Sequence, residues 1–153
     1  MNEQDQRRFM QLALLEGRKA LPACVPNPPV GCVLVREGRI IATGHTNPPG
    51  QHHAEAMALS QIRGSLIDVT AFVTLEPCSF HGRTPSCARE LVLRGVKRIF
   101  VSMLDPDPRN NGAGIRILEA SGVKVTLGLL EELACRDLSA YLARTDNLLS
   151  RLS

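Results

Sequence analysis

Residues 74–87 read TLEPCSFHGRTPSC, which sets Cys78 and Cys87 with eight residues between them in a segment punctuated by two prolines and a glycine. Such a pair can close a disulfide loop, bind a metal, or be two unrelated buried thiols. The chain has five cysteines, at 24, 32, 78, 87 and 135, an odd number. Its opening residues, MNEQDQRRFMQLALLEGRKAL, mix acids and bases without the apolar run of a secretory signal. The expected compartment is therefore the cytoplasm, where thiols stay reduced and cysteines in such a pattern read as ligands or catalysts. Catalytic zinc takes three protein groups and leaves one position open for water. A third ligand is available upstream in HHAEAMAL, where His53 is followed two residues later by Glu55. Imidazole and thiolates suit this borderline-soft ion. Zinc lowers the pKa of a bound water toward ~7, and a carboxylate beside it can take and return protons.

Each of these residues also has a plainer reading. A buried cysteine is commonly a small apolar side chain, and Cys24, Cys32 and Cys135 are assigned to that class. His45, His52 and His81 are read as surface or internally satisfied histidines. Glu55 alone would be an acid in a first helical turn, favoured there by the helix dipole. The combination carries the chemistry, not any single residue.

The elements that must position these groups follow from periodicity. Residues 5–20 space Phe9, Leu12, Ala13, Leu15 and Ala20 near the helical repeat, ending before Pro22. CVPNPPVG is a shaped loop, because three prolines exclude a regular helix. GCVLVREGRIIATG predicts a hairpin. Helices are predicted over residues 54–62, in CARELVLRG, in GAGIRILEASG and over 130–150, and buried strands in TAFVTL, RIFVSM and VKVTLG. A hairpin followed by alternating strands and helices predicts a three-layer α/β domain on a mixed sheet, with right-handed crossovers. Ligands collect at the carboxyl ends of strands in such sheets, here at TLEPC and SMLDPDP. His53 and Cys87 both fall near predicted helix N-termini.

Composition removes other classes. No apolar run approaches the roughly 18–20 residues of a membrane span. A net charge of +3 without a Lys/Arg run, and 3% aromatic residues, argue against a nucleic-acid surface. No repeat or linker divides the chain, so residues 1–153 are expected to form one domain.

His-x-Glu, then Pro-Cys and a second Cys, outlines the zinc-deaminase signature, although the generic form has a Cys-x2-Cys spacer. The long spacer with GRTP inside it, together with PNPPVGCVLVREGRI, HAEAMAL, GVKRIFVSMLDPDP and AGIRILEASGVKV, resembles the pyrimidine deaminase domain of bacterial riboflavin biosynthesis, within the cytidine-deaminase-like superfamily. The resemblance runs over nearly the whole chain. It implies a three-layer α/β/α fold with a mixed five-stranded sheet, and hydrolysis of a heterocyclic amine to a carbonyl with release of ammonia. It further implies that His53, Cys78 and Cys87 hold one zinc ion and that Glu55 shuttles protons. Asn27 would contact the substrate, Arg83 its phosphate side and Asp105 its sugar. A small aminated heterocycle is the implied partner, in a homo-oligomer. The family usually carries a C-terminal reductase domain, which is not expected here. Hence no NADPH is expected, and a separate reductase would take that step.

Four positions depart from the family pattern. Thr46 stands where the family has a histidine seven residues before the zinc histidine, and Phe80 replaces the histidine of PCSH. Asp107 replaces the asparagine of DPNP, and Ala113 an arginine. These changes remove two imidazoles and a guanidinium and add a carboxylate, against the needs of a phosphate site. Thr46, Phe80 and Asp107 are thus candidate substrate residues with altered chemistry. Two substrate readings stay open. In one the substrate has drifted to an unphosphorylated or differently decorated pyrimidine; in the other Arg83, Arg109 or the displaced His45 compensates. A base, nucleoside or tRNA deaminase, and a non-catalytic zinc module, are the alternatives from other classes. The first would need a basic groove if its substrate were a polymer, and the second a fourth ligand.

Overall fold

The computed structural model describes residues 1–80 and 86–142. Helix α1 spans Glu3–Arg18, and its start is fixed by Asn2, whose side chain accepts from the Asp5 backbone N–H at 2.8 Å. The predicted hairpin is β1, Gly31–Arg36, and β2, Arg39–His45. Its two turn residues, Glu37 and Gly38, have φ of 52° and 75°, the sign pattern of the turn that matches strand twist. Then follow α2 Ala54–Leu59, β3 Val69–Leu75, α3 Cys87–Leu93, β4 Arg98–Met103, α4 Ala113–Ala120, β5 Lys124–Leu127 and α5 Glu131–Leu142.

The sheet runs β2-β1-β3-β4-β5. Strand β1 is antiparallel to both neighbours, whereas β3, β4 and β5 are parallel. Parallel pairing requires crossovers, which α3 and α4 supply. Alternation along the strands then builds two apolar faces. On one, Val33, Val35, Phe72 and Phe100 pack on Phe9, Met10 and Ala13 of α1, with the Phe72 and Phe100 rings stacked at 4.8 Å. On the other, Cys32, Leu34, Val73 and Val101 join Ala54 and Ala58 of α2, Ala88 and Leu91 of α3, and Leu118 of α4. Helix α5 lies beside α1, bridged by Arg18 and Asp137 at 3.0 Å. The architecture is the expected one: a mixed five-stranded sheet between helical layers.

One helix ends short of the sequence reading, and another runs to the limit of the described residues. The helix predicted to Ile62 ends at Leu59, where the N–H groups of Gln61 and Ile62 turn back onto the carbonyls of Ala58 and Leu59. The predicted helix over 130–150 is described only to Leu142. Leu138 and Leu142 in it are buried core, while Leu148 and Leu149 lie outside the described residues. Among the described residues, no helix is long and apolar enough to cross a membrane.

One close approach places the site. A Cβ at Gly44 of β2 would fall 2.1 Å from the Ala54 carbonyl oxygen, so the first turn of α2 rests directly on the strand backbone. That contact fixes the start of α2, which His53 caps.

Candidate active site

Parallel pairing of β3 with β4 brings Leu75 opposite Met103, and the Glu76 N–H donates to the Met103 carbonyl at 2.9 Å. The two strand ends therefore deliver TLEPC and LDPDP side by side. Cys78 follows the β3 end, and the start of α3 wraps around it. The Ser86 hydroxyl caps α3 by accepting from Arg89 N–H and donates to the Cys78 carbonyl at 2.8 Å. The Ala88 N–H reaches the same carbonyl, and the Cys87 N–H reaches the Cys78 sulfur at 3.2 Å. Cys87 is the first residue of α3 and His53 the cap of α2, so three elements converge on one point.

The donor atoms meet there. His53 Nδ1 lies 3.8 Å from Cys78 Sγ and 3.5 Å from Cys87 Sγ, and all three donors fall within 4.8 Å of one another. Tetrahedral zinc with Zn–S of ~2.3 Å and Zn–N of ~2.0 Å sets N-to-S edges of about 3.5 Å. The cluster fits the ion in donor type and spacing. The thiols support the same reading. A hydrogen bond from Cys87 holds the Cys78 thiol well below the usual range, outweighing burial, with His53 assisting. That same bond, then burial and the nearby Glu55, pushes Cys87 well above it. A dication between two such sulfurs favours the thiolate form of both.

Glu55 sits in the first turn of α2 at 4% exposure. Burial pushes its carboxyl up to about 7, and the Cys78 sulfur adds to the shift. His53 and a hydrogen bond from the Cys87 thiol oppose it. A carboxyl tuned near neutrality beside a metal cluster can both accept and release a proton. Cys32, fully buried on β1, keeps its thiol well above the ordinary value through burial and then Glu55, and so remains a neutral part of the floor.

The remaining sequence candidates divide. Asn27 lies half-buried in the loop before β1, its N–H donating to Cys24 carbonyl at 2.8 Å. Thr46 is buried and its hydroxyl serves that loop: it donates to the Pro28 carbonyl at 2.8 Å and accepts from Val30 N–H at 3.0 Å. Its neighbour His45 points to the α1 side, where its Nδ1 meets Glu16 at 2.7 Å. Burial raises the Glu16 carboxyl, but hydrogen bonds from His45 and Lys19 overcome this and hold it below the usual range. His45 Nδ1 is therefore engaged on the α1 side. Asp105 is fully buried and accepts from Asp107 N–H and the Asn110 amide. Asp107, 2% exposed, is forked by Arg109, whose guanidinium lies 4.8 Å over the Phe80 ring. Ala113 opens α4 after Gly112, whose φ is 93°. Arg83 lies outside the described residues.

Two residues here were missed by sequence reasoning. Glu76, 3% exposed, accepts backbone N–H groups from Asp105 at 3.1 Å, Gly112 at 3.0 Å and Ile115 at 3.1 Å. Asn110 accepts from Ser79 N–H and donates to the Pro77 carbonyl. Together they tie the metal loop to the loop carrying Asp105 and Asp107. The signal for Glu76 was a lone acid directly after an apolar strand; Asn110 gave none.

Comparisons with known proteins agree with this geometry. Residues 3–103 match the model of the cytidine and deoxycytidylate deaminase zinc-binding region. The chain is 41% identical over 126 residues to the riboflavin biosynthesis protein RibD of Aquifex aeolicus, covering 82% of this chain and 35% of that protein. RibD of Acinetobacter baumannii superposes with a TM-score of 0.85 at 39% identity, over 91% of this chain and 39% of that one. A diaminohydroxyphosphoribosylaminopyrimidine deaminase/5-amino-6-(5-phosphoribosylamino)uracil reductase from Thermotoga maritima gives 0.84 at 37%, over 90% of this chain and 40% of that one. The chain thus spans little more than a third of the length of the relatives it matches.

Proposed function

Because the chain belongs to the cytidine and deoxycytidylate deaminase family, matched through its zinc-binding region, we propose that it hydrolyses an exocyclic amine of a ribosylaminopyrimidine of the kind named for the Thermotoga maritima relative. The observation that carries this reading is the buried Glu55 carboxyl, raised to about 7 and hydrogen-bonded to one member of a His53–Cys78–Cys87 donor cluster.

His53 Nδ1 and the sulfurs of Cys78 and Cys87 would hold zinc, which supplies activation of water at neutral pH. The protein's own contribution is proton transfer at the Glu55 carboxylate oxygens. Glu55 takes a proton from the attacking water and delivers it to the ring nitrogen beside the reacting carbon. It then passes the second water proton to the departing amine. The carbon–nitrogen bond breaks, the water oxygen stays as the carbonyl, and ammonia leaves. Burial of Glu55 keeps bulk water from competing for that proton. Asn27, Asp105 and Arg83 are the proposed substrate contacts, with Thr46, Phe80 and Asp107 beside them. A cytoplasmic location and a homo-oligomer belong to the same proposal.

Ammonia release by zinc-loaded protein from the phosphoribosylaminopyrimidine, with Glu55→Ala beside it, tests the reading. The variant should keep its zinc and lose on the order of 10²–10⁴ in kcat. A zinc-loaded Glu55→Ala protein that still turned over at the parent rate would overturn it.

A further inference from the structure

Asn110 stands between the two loops that build the site and is 1% exposed, so its side-chain polar atoms need partners within the protein. It has three. Oδ1 accepts the Ser79 N–H at 3.1 Å, and Nδ2 donates to the Pro77 carbonyl at 3.3 Å and to Asp105 Oδ2 at 3.3 Å. Pro77 and Ser79 are the residues on either side of the metal-ligand candidate Cys78. One acceptor and two donors thus meet one donor and two acceptors, which assigns the way the amide faces. A flipped amide would set its NH2 against the Ser79 N–H and its oxygen against two oxygens. The Asn110 backbone is held as well, its N–H donating to the Asp107 carbonyl at 2.8 Å. Four residues on, the first turn of α4 closes on the same spot: a Cβ at Gly114 would fall 1.9 Å from the Pro77 carbonyl oxygen.

Helix α3 holds Cys78 itself, through its carbonyl and its sulfur. Asn110 holds the residues before and after it, from the segment between β4 and α4. Only χ1 separates the Cys78 sulfur from its backbone, so a shift of that backbone moves the donor atom with it. We propose that Asn110 is a positioning residue for Cys78: its amide clamps the peptides flanking the ligand, so that the sulfur meets His53 Nδ1 and Cys87 Sγ at the spacing of a metal site. Partners that orient a ligand without touching the ion commonly tune how tightly the ion is held. The inference rests on the zinc reading of that donor set and is independent of which amine the site hydrolyses.

Cobalt(II) titration read by absorption, with zinc affinity measured by competition against a chelator, tests this without substrate or turnover. The charge-transfer and d–d bands of cobalt report ligand type and geometry, which a merely structural role would leave alone. Asn110→Leu removes all three bonds at nearly constant volume. The folded variant should lose about 10–100-fold in zinc affinity, the range for loss of a partner that orients a ligand. Its d–d bands at saturating cobalt should shift and weaken against those of the parent. Phe9→Leu, in the α1 cluster on the other face of the sheet, controls for lost stability. It should keep the parent bands and a zinc affinity within about threefold of the parent. Parent bands and parent zinc affinity in folded Asn110→Leu would overturn the proposal. So would an equal loss in Phe9→Leu, which would make the effect one of stability alone. Should Asn110→Leu fail to fold, Asn110→Ala decides by the same two readings, because truncation removes the bonds without pressing apolar atoms on Ser79 and Pro77. A parent protein that binds neither ion fails the zinc reading itself, and the positioning role falls with it; parent bands that the Asn110 variants leave unchanged sink the positioning role alone.

Discussion

Two buried glutamates show how partners set a role. Glu55 has the His53–Cys78–Cys87 donor set for company and a carboxyl raised to about 7, which suits a proton carrier. Glu76 instead spends its carboxylate on three backbone N–H groups from the segment 105–115, which suits a fastener. Charge-assisted bonds of this kind are stronger than neutral ones, and a buried donor left without its acceptor costs about 1–3 kcal/mol. Glu76→Gln keeps the volume but turns one acceptor oxygen into a donor facing another donor. It should lower stability by about 2 kcal/mol in urea unfolding. It should also raise KM more than it lowers kcat, since Asp105 and Asp107 shift while His53, Cys78 and Cys87 stay. Unchanged unfolding would show the three amides are satisfied without it. The sequence could not separate the two glutamates by type, because both read as acids beside apolar runs; only their hydrogen-bond partners distinguish them.

At the scale of elements, the metal cluster depends on how closely α2 sits on β2. An alanine Cβ at Gly44 would stand 2.1 Å from the Ala54 carbonyl oxygen and 2.7 Å from the Ala58 nitrogen, both backbone atoms that cannot rotate away. Gly44→Ala must therefore lift the start of α2. Overpacking of this kind costs about 1–3 kcal/mol, and because His53 caps the same helix, zinc affinity should fall with stability. Wild-type zinc affinity in a destabilised Gly44→Ala protein would show that His53 is positioned by something other than this contact. The same elements show what periodicity can and cannot reveal. Strands β3 and β4 and helix α3 were legible because apolar runs between Gly and Pro breaks have few other uses. The His53–Cys78–Cys87 cluster was legible because ligand types and spacing carry their own chemistry. The side to which His45 points, and the fork of Arg109 on Asp107, were not. Each depends on which neighbour a side chain meets across the fold, and nothing local in the sequence records that.

The whole molecule is a sheet closed at one end by a three-element clasp. The donors at the cap of α2, after β3 and at the first residue of α3 are brought to one point only by the fold, so the unfolded chain presents all three together far less well. An ion that binds only the folded form stabilises it by RT ln(1 + [L]/Kd), about 2.7 kcal/mol at a hundredfold excess over Kd. For a domain of this size each kcal/mol moves Tm by about 2–4 °C. Zinc-loaded protein should therefore melt roughly 5–10 °C above the same protein stripped by a chelator, and returning zinc should restore the difference. Cys87→Ser should erase most of it. That variant removes the ligand whose ionisation most needs the dication, since Cys87 is the thiol pushed up by its neighbours. A melting temperature indifferent to chelator, zinc and Cys87→Ser alike would mean that the cluster holds no ion. The convergence of α2, β3 and α3 would then be packing alone.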